Sequence, residues 1–174
     1  MNEVIQALKE RRSIRKFQAE LPPKEIIEQI VEAGLYAPSG KGSQSSMILV
    51  VTDRKLRDTL SDMNRRILGR PEGVDPFYGA PAVLVVLGRK DASTYLYDGS
   101  LTMGNLLNAA HALGLGGIWV HRAKQEFETD EMKALLKTLG VEGEWEGIGH
   151  CAIGYIDGEV AQPAPRKEGR VFWL

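Results

Sequence analysis

The sequence predicts a single domain in which a central sheet is covered by helices. Three observations carry that prediction. Residues 47–51, 82–87, 116–120 and 148–155 form short, nearly unbroken apolar runs, the length and character of strands buried on both faces. Segments with apolar residues at helical spacing alternate with them along the chain. Finally, 174 residues with 43% hydrophobic and 26% charged side chains suffice for one substantial core, and no repeat or low-complexity tract divides them.

Each element has a local cause. Val4, Ile5 and Leu8 share one helical face and predict a first helix over residues 2–11. Pro22-Pro23 opens a second helix, whose buried stripe is Ile26, Ile27, Ile30 and Val31. It ends near Tyr36-Ala37, because the residue before Pro38 resists helical geometry. Small polar residues from Ser39 to Ser46 then read as a loop. After strand 47–51, Asp53 is placed to cap the next helix. Residues 70–76, with two prolines and a glycine, are a loop before strand 82–87. A long apolar helix is predicted over 98–113, carrying Leu101, Met103, Leu106, Leu107, Ala110 and Leu113. Gly104, Ala109 and Ala110 are small enough there to let another backbone approach. Strand 116–120, a helix over 131–139 and strand 148–155 complete the core. Beyond Gly158 the chain carries Pro163 and Pro165 and ends in Val171-Phe172-Trp173-Leu174. That apolar end is expected to pack on something, such as a second subunit.

Composition removes several classes of function. A formal net charge of −1 supplies no global field for nucleic acid or an anionic membrane. One cysteine, Cys151, excludes an internal disulfide framework and suits a reducing cytoplasm, the expected location. The chain opens on a polar amphipathic segment, and no apolar run approaches membrane-spanning length. The one concentrated charge is Arg11-Arg12-Ser13-Ile14-Arg15-Lys16-Phe17, where the first helix ends. By itself such a run reads first as solvated surface. Its guanidinium forks and hydroxyl also suit a phosphate dianion.

The remaining residues offer little catalytic equipment. Gly40-Lys41 misses the phosphate-loop spacing, since the preceding glycine is Gly34 and Gly42 stands where a hydroxyl is needed. Gly114-Leu115-Gly116-Gly117 leads into a strand, whereas a dinucleotide fingerprint follows one. His111, His121 and His150 share no metal-ligand spacing, and neighbouring strand residues His150 and Cys151 face opposite sides. Cys151 reads as a core thiol, and the carboxylates read as solvated surface. No catalytic side chain and no metal site are therefore assigned. If the protein is an enzyme, a phosphorylated cofactor carries its chemistry and the basic run anchors it.

Five features in order resemble the nitroreductase family of FMN-dependent, NAD(P)H-using oxidoreductases. The first is the Arg11–Phe17 run. The second is Ala37-Pro38-Ser39 followed by Gln44, similar to the family's Ala-Pro-Ser-x-x-Asn-x-Gln-Pro-Trp loop. The third is Tyr78-Gly79-Ala80-Pro81 before a strand, then a long helix into Gly114-Leu115-Gly116-Gly117-Ile118-Trp119. Gly154-Tyr155 and Arg166-Lys167 complete the series. The resemblance implies an α+β fold with a central mixed or antiparallel sheet, assembled as an intertwined homodimer with FMN at the subunit interface. It assigns Arg11, Arg12, Ser13, Arg15, Arg166 and Lys167 to the phosphate and ribityl end of FMN. Pro38, Ser39 and Gly40 are assigned to the flavin wall contributed by the partner subunit, and Asn64 to the pyrimidine edge. His121 and Arg122 fall where backbone N–H groups reach flavin N5.

The implied reaction is ping-pong hydride transfer from NADH or NADPH, through FMN, to a small electron-poor acceptor such as a nitroaromatic or quinone. Specialised relatives acting on enones, halogenated aromatics or azolines are the alternative, as is a flavin-binding module that does not turn over. Two departures stand out: Gly42 replaces the loop's Asn, and Ser45-Ser46 replaces Pro-Trp. Little sequence is inserted between Val51 and Pro81 or between Trp119 and Ile148, which implies a more open site.

Overall fold

The protein is described from a computed structural model over residues 2–174. Its helices are α1 (Glu3–Glu10), α2 (Lys24–Leu35), α3 (Arg54–Ile67), α4 (Tyr95–Ala112), α5 (Ala123–Phe127) and α6 (Asp130–Thr138). Its strands are β1 (Ser46–Val51), β2 (Ala82–Arg89), β3 (Gly116–Val120) and β4 (Trp145–Gly154). The strands form one sheet in the order β1-β2-β4-β3, and every neighbouring pair is antiparallel. An α+β fold with a helix-covered sheet is what the sequence predicts.

Central β2 is buried along nearly its whole length because helices cover both of its faces. On one side Val83, Val85, Leu87, Ile118 and Ala152 pack with α3, α5, α6 and Phe77. On the other, Leu84, Val86, Cys151 and Ile153 pack with Ile27 and Ile30 of α2 and Met103 and Leu106 of α4. Each such side chain contributes roughly 1.5–3 kcal/mol by leaving water.

Side-chain caps fix the starts of α1, α3 and α6. The Asn2 side chain accepts from Val4 N–H at 3.0 Å, Asp53 from Leu56 N–H at 2.8 Å, and Thr129 from Met132 N–H at 3.3 Å. Three boundaries depart from expectation. Helix α4 begins at Tyr95, one turn before Asp98, because Asp98 is a buried acceptor for a loop rather than a solvent-facing cap. Strand β4 begins at Trp145, where the edge residues before Ile148 pair with Leu87–Arg89. Helix α5 has no counterpart in the sequence pattern; five residues are too few for helical periodicity to register.

A glycine makes room for that short helix. A Cβ at Gly147 would lie 2.2 Å from the Ala123 carbonyl carbon, so only glycine lets the start of α5 rest on β4. Finally, the terminal Val171-Phe172-Trp173-Leu174 does not pack within its own chain; Trp173 is 95% exposed.

Candidate functional site

The Arg11–Phe17 run leaves α1 and docks as an extra edge along the sheet. Ser13 forms a parallel bridge with Gly117, and Ile14 N–H donates to the Gly117 carbonyl at 3.2 Å. Phe17 bridges Ile156 in antiparallel fashion, and Lys16 pairs with Asp157 at 2.8 Å. Ile14 and Phe17 are buried and anchor the run, while Ser13 before them and Arg15 between them stay exposed. The two apolar residues fix the segment at separate points, and the polar residues around them are offered outward.

Its two leading arginines are incompletely satisfied. Arg12 Nη1 turns back to the carbonyls of Lys9 and Arg11, at 2.8 and 2.5 Å. Arg12 Nε and Arg11 Nη1 are buried without a hydrogen-bond partner in the chain. Orphaned donors on charged groups cost stability unless an acceptor arrives. A phosphate has the required charge and acceptor geometry. Arg11 is also close enough for its charge to act on Cys151, whose complete burial pushes the thiol up to about 12 against that influence. A recess of about 590 Å³ lies beside Arg12, between α1 and residues 160–163 of the tail.

Arg166 and Lys167 lie further along that tail. Both are exposed, and Arg166 donates to its neighbouring Ala164 carbonyl at 2.6 Å. Within one chain no hydrogen bond or ion pair joins them to Arg11, Arg12, Ser13 or Arg15 among the described residues.

The loop with Pro38, Ser39 and Gly40 is held rigidly from below. Asp98 accepts from Gly40 N–H at 2.9 Å and from the hydroxyls of Ser45 at 2.6 Å and Thr94 at 3.0 Å. Burial pushes the Asp98 carboxyl up, but the bonds from Ser45, Gly40, Thr94 and Ser43 outweigh it and hold the group below its ordinary value. Ser39 Oγ accepts from Gln44 N–H at 2.9 Å, which leaves Pro38 at the exposed tip. Ser45 is therefore no bystander in the altered loop: it is fully buried and supplies the shortest of these bonds.

At the far end of β3 the chain makes a tight turn through His121 and Arg122. Both are exposed, the His121 ring lies 5.5 Å from that of Trp119, and Arg122 has a left-handed φ of 86°. Such a conformation in a non-glycine residue costs on the order of 1–3 kcal/mol and persists only where its surroundings enforce it. Asn64 is one of those surroundings. It is fully buried, and its amide nitrogen donates to the His121 carbonyl at 2.7 Å and to Glu126 at 2.8 Å.

Sequence reasoning missed the partners of Asn64. Glu126 and His150 are both fully buried, with His150 Nε2 2.8 Å from Glu126 Oε2. Nothing in one sequence pairs a glutamate on a five-residue helix with a histidine on a strand; only the Gly147 contact sets them face to face. A second hidden pair is Arg57 and Asp75, 2.5 Å apart, which braces the loop leading to Tyr78 and Gly79. No cluster able to hold a metal ion occurs among the described residues.

An edge-docked basic segment with buried, unpartnered guanidinium donors, set on a helix-covered antiparallel sheet, has the charge and the donors that a phosphorylated small molecule requires. The family follows from comparison: residues 8–155 match the Nitroreductase family, and the chain belongs to it. Two relatives share the provisional name NADH dehydrogenase/NAD(P)H nitroreductase. The one from Methanothermobacter thermautotrophicus is 31% identical over 121 residues, covering 67% of this chain and 60% of its own length. The one from Archaeoglobus fulgidus is 30% identical over 160 residues, covering 89% of this chain and 86% of its own. A crystal structure of a nitroreductase with bound FMN from Bacteroides fragilis superposes with a TM-score of 0.90 over 100% of both chains, at 25% identity.

Proposed function

We infer that the protein is an FMN-dependent oxidoreductase using NADH or NADPH to reduce a small electron-poor acceptor. One observation carries the reading: buried, unpartnered donors on Arg11 and Arg12, within a segment fixed to the sheet at Gly117. FMN would supply the redox chemistry, taking hydride at N5 from the nicotinamide and returning it to a nitroaromatic or quinone in ping-pong order. The absence of an assigned acid or base agrees with such a division of labour.

The chain's own residues then bind and orient. Arg11, Arg12, Ser13 and Arg15 hold the phosphate and ribityl chain, joined by Arg166 and Lys167 from the tail. Pro38, Ser39 and Gly40, kept in place by Asp98, form a wall against the flavin ring of the partner subunit. The His121–Arg122 turn offers backbone N–H groups near N5, and Asn64 holds that turn through its amide nitrogen while its unpartnered amide oxygen serves the pyrimidine edge. A preorganised donor there favours negative charge on the reduced ring.

Exposed apolar surface supports a homodimer. Val4, Ile5 and Leu8 on α1 are 67%, 52% and 52% exposed, and the terminal Phe172 and Trp173 are bare. A monomer seldom leaves so much in water. No helix among the described residues is long and apolar enough to cross a membrane, and the single reduced cysteine supports a cytoplasmic setting.

The test is Arg15→Ala. Arg15 is exposed, so its loss changes folding stability by roughly 0.5 kcal/mol or less. Removal of a charge-assisted bond to phosphate, about 1.5–3 kcal/mol, weakens FMN binding some tenfold to a hundredfold. Unchanged FMN affinity in a titration by fluorescence quenching overturns the phosphate assignment.

A further inference from the structure

We propose that Glu126 and His150, acting with Asn64, are positioning residues that aim the backbone N–H of Arg122 out of the protein and so tune the flavin. The proposal rests on the reading that this turn faces flavin N5.

Three consecutive carbonyls of the turn are gripped from inside. The Val120 carbonyl meets His150 Nδ1 at 3.2 Å, the His121 carbonyl accepts from Asn64 Nδ2 at 2.7 Å, and the Arg122 carbonyl accepts from Glu126 N–H at 3.1 Å. In a trans peptide the N–H points opposite to the carbonyl of the same unit. Pulling the His121 carbonyl inward onto Asn64 therefore turns the Arg122 N–H outward. The left-handed φ of Arg122 is the conformational cost of that arrangement, and the buried cluster is what enforces it.

The cluster is built to be rigid. Asn64, Glu126 and His150 come from α3, α5 and β4, and each is fully buried. Glu126 accepts from Asn64 on Oε1 and meets His150 on Oε2, so both carboxyl oxygens are used. His150 has an acceptor at each ring nitrogen, so a proton must lie between Nε2 and Oε2 for the pair to be satisfied. Phe77 closes the cluster, its ring centroid 5.0 Å from that of His150. Glu126 and His150 have every side-chain polar atom paired inside the protein, and the Asn64 amide oxygen is the one buried atom of the three left without a partner; rearranging the cluster would strand more buried groups.

Substitution at Glu126 separates positioning from packing. Glu126→Gln preserves the bonds: its carbonyl accepts from Asn64 while its amide donates to a neutral His150. Glu126→Ala removes them. With FMN bound, Glu126→Ala is expected to slow flavin reduction by NADPH at least tenfold in stopped flow, and Glu126→Gln by less than threefold. The flavin midpoint potential of Glu126→Ala should fall by about 30 mV, the equivalent of a tenfold change for two electrons. FMN affinity should change less than threefold in both, because the phosphate end lies elsewhere. If Glu126→Ala does not fold, Asn64→Ser, a smaller lesion at the same turn, is read by amide exchange in the unliganded protein, where no flavin contact of Asn64 enters.

A lower melting temperature with unchanged potential and reduction rate makes the cluster structural and overturns the proposal. So does a Glu126→Gln protein as impaired as Glu126→Ala. If the wild-type protein takes up no FMN, the function proposed above fails. The positioning claim is then read in the unliganded protein by amide exchange: the N–H of residue 126, which donates to the Arg122 carbonyl, should exchange at least tenfold faster in Glu126→Ala (or Asn64→Ser) and unchanged in Glu126→Gln. Equal exchange in all of them refutes it.

Discussion

Asp98 offers the sharpest test of how the loop bearing Pro38 and Ser39 is held. Its side chain, 3% exposed on α4, accepts the Gly40 N–H and the Ser45 hydroxyl from the loop, and the hydroxyl of Thr94 from the start of α4 itself. Bonds to an ionised acceptor are worth about 1.5–3 kcal/mol each, but a cluster is not additive. Asp98→Ala also strands the fully buried Ser45 hydroxyl, so the expected loss is about 3–5 kcal/mol. Asp98→Asn keeps the volume and one acceptor, and the hydroxyls can rotate to accept from its amide; about 1–2 kcal/mol is expected.

For a chain of this size the alanine variant should melt on the order of 10 °C lower. The sign of the pH effect follows from the lowered carboxyl. A group depressed in the folded state stabilises fully above the ordinary carboxylate range, and that stabilisation is lost as pH falls through the folded value. The gap between wild type and Asp98→Asn in urea unfolding should therefore shrink as pH drops below about 4. An Asp98→Ala protein within 1 kcal/mol of wild type, or a gap indifferent to pH, would refute this account of the loop.

Two further outcomes test the packing. Gly147→Ala forces a methyl into the Ala123 backbone 2.2 Å away, which cannot rotate aside; a loss of about 3 kcal/mol or more is expected from chemical unfolding, with α5 displaced. Cys151 is fully buried with its thiol at about 12, so a thiol reagent at pH 8 should leave it unmodified until the protein unfolds. Rapid labelling of the native protein contradicts that burial.

Much of the fold was legible because each long element announces itself locally. The 82–87 run is apolar at every position since helices cover both faces of β2, and strand 116–120 matches β3 residue for residue. The basic run was equally visible, because four cations within seven residues stand out in a chain of net charge −1, and the same segment docks on the sheet. What stayed hidden is non-local. Asp98 reads only as the first residue of a helix, yet its partners at residues 40–45 lie more than fifty positions away. Glu126 looks like a solvated carboxylate on a short segment; its burial depends on β4 passing beneath with glycine at 147. Asn64 reads as a residue that reaches a ligand; that its amide nitrogen also grips the His121 carbonyl and Glu126, leaving only the amide oxygen unpartnered, is set by the fold. Contacts set by tertiary assembly leave no periodic trace in the chain.

The central claim is that a phosphorylated flavin seated on the Arg11–Arg15 run carries electrons from a nicotinamide. Its most direct measurement is the visible absorption spectrum of the purified protein supplied with FMN, recorded before and after anaerobic addition of NADH or NADPH. The account predicts a bound flavin spectrum that bleaches with one of the two and recovers with a nitroaromatic or quinone. Protein that retains no FMN, or bound FMN that neither nucleotide bleaches, contradicts it.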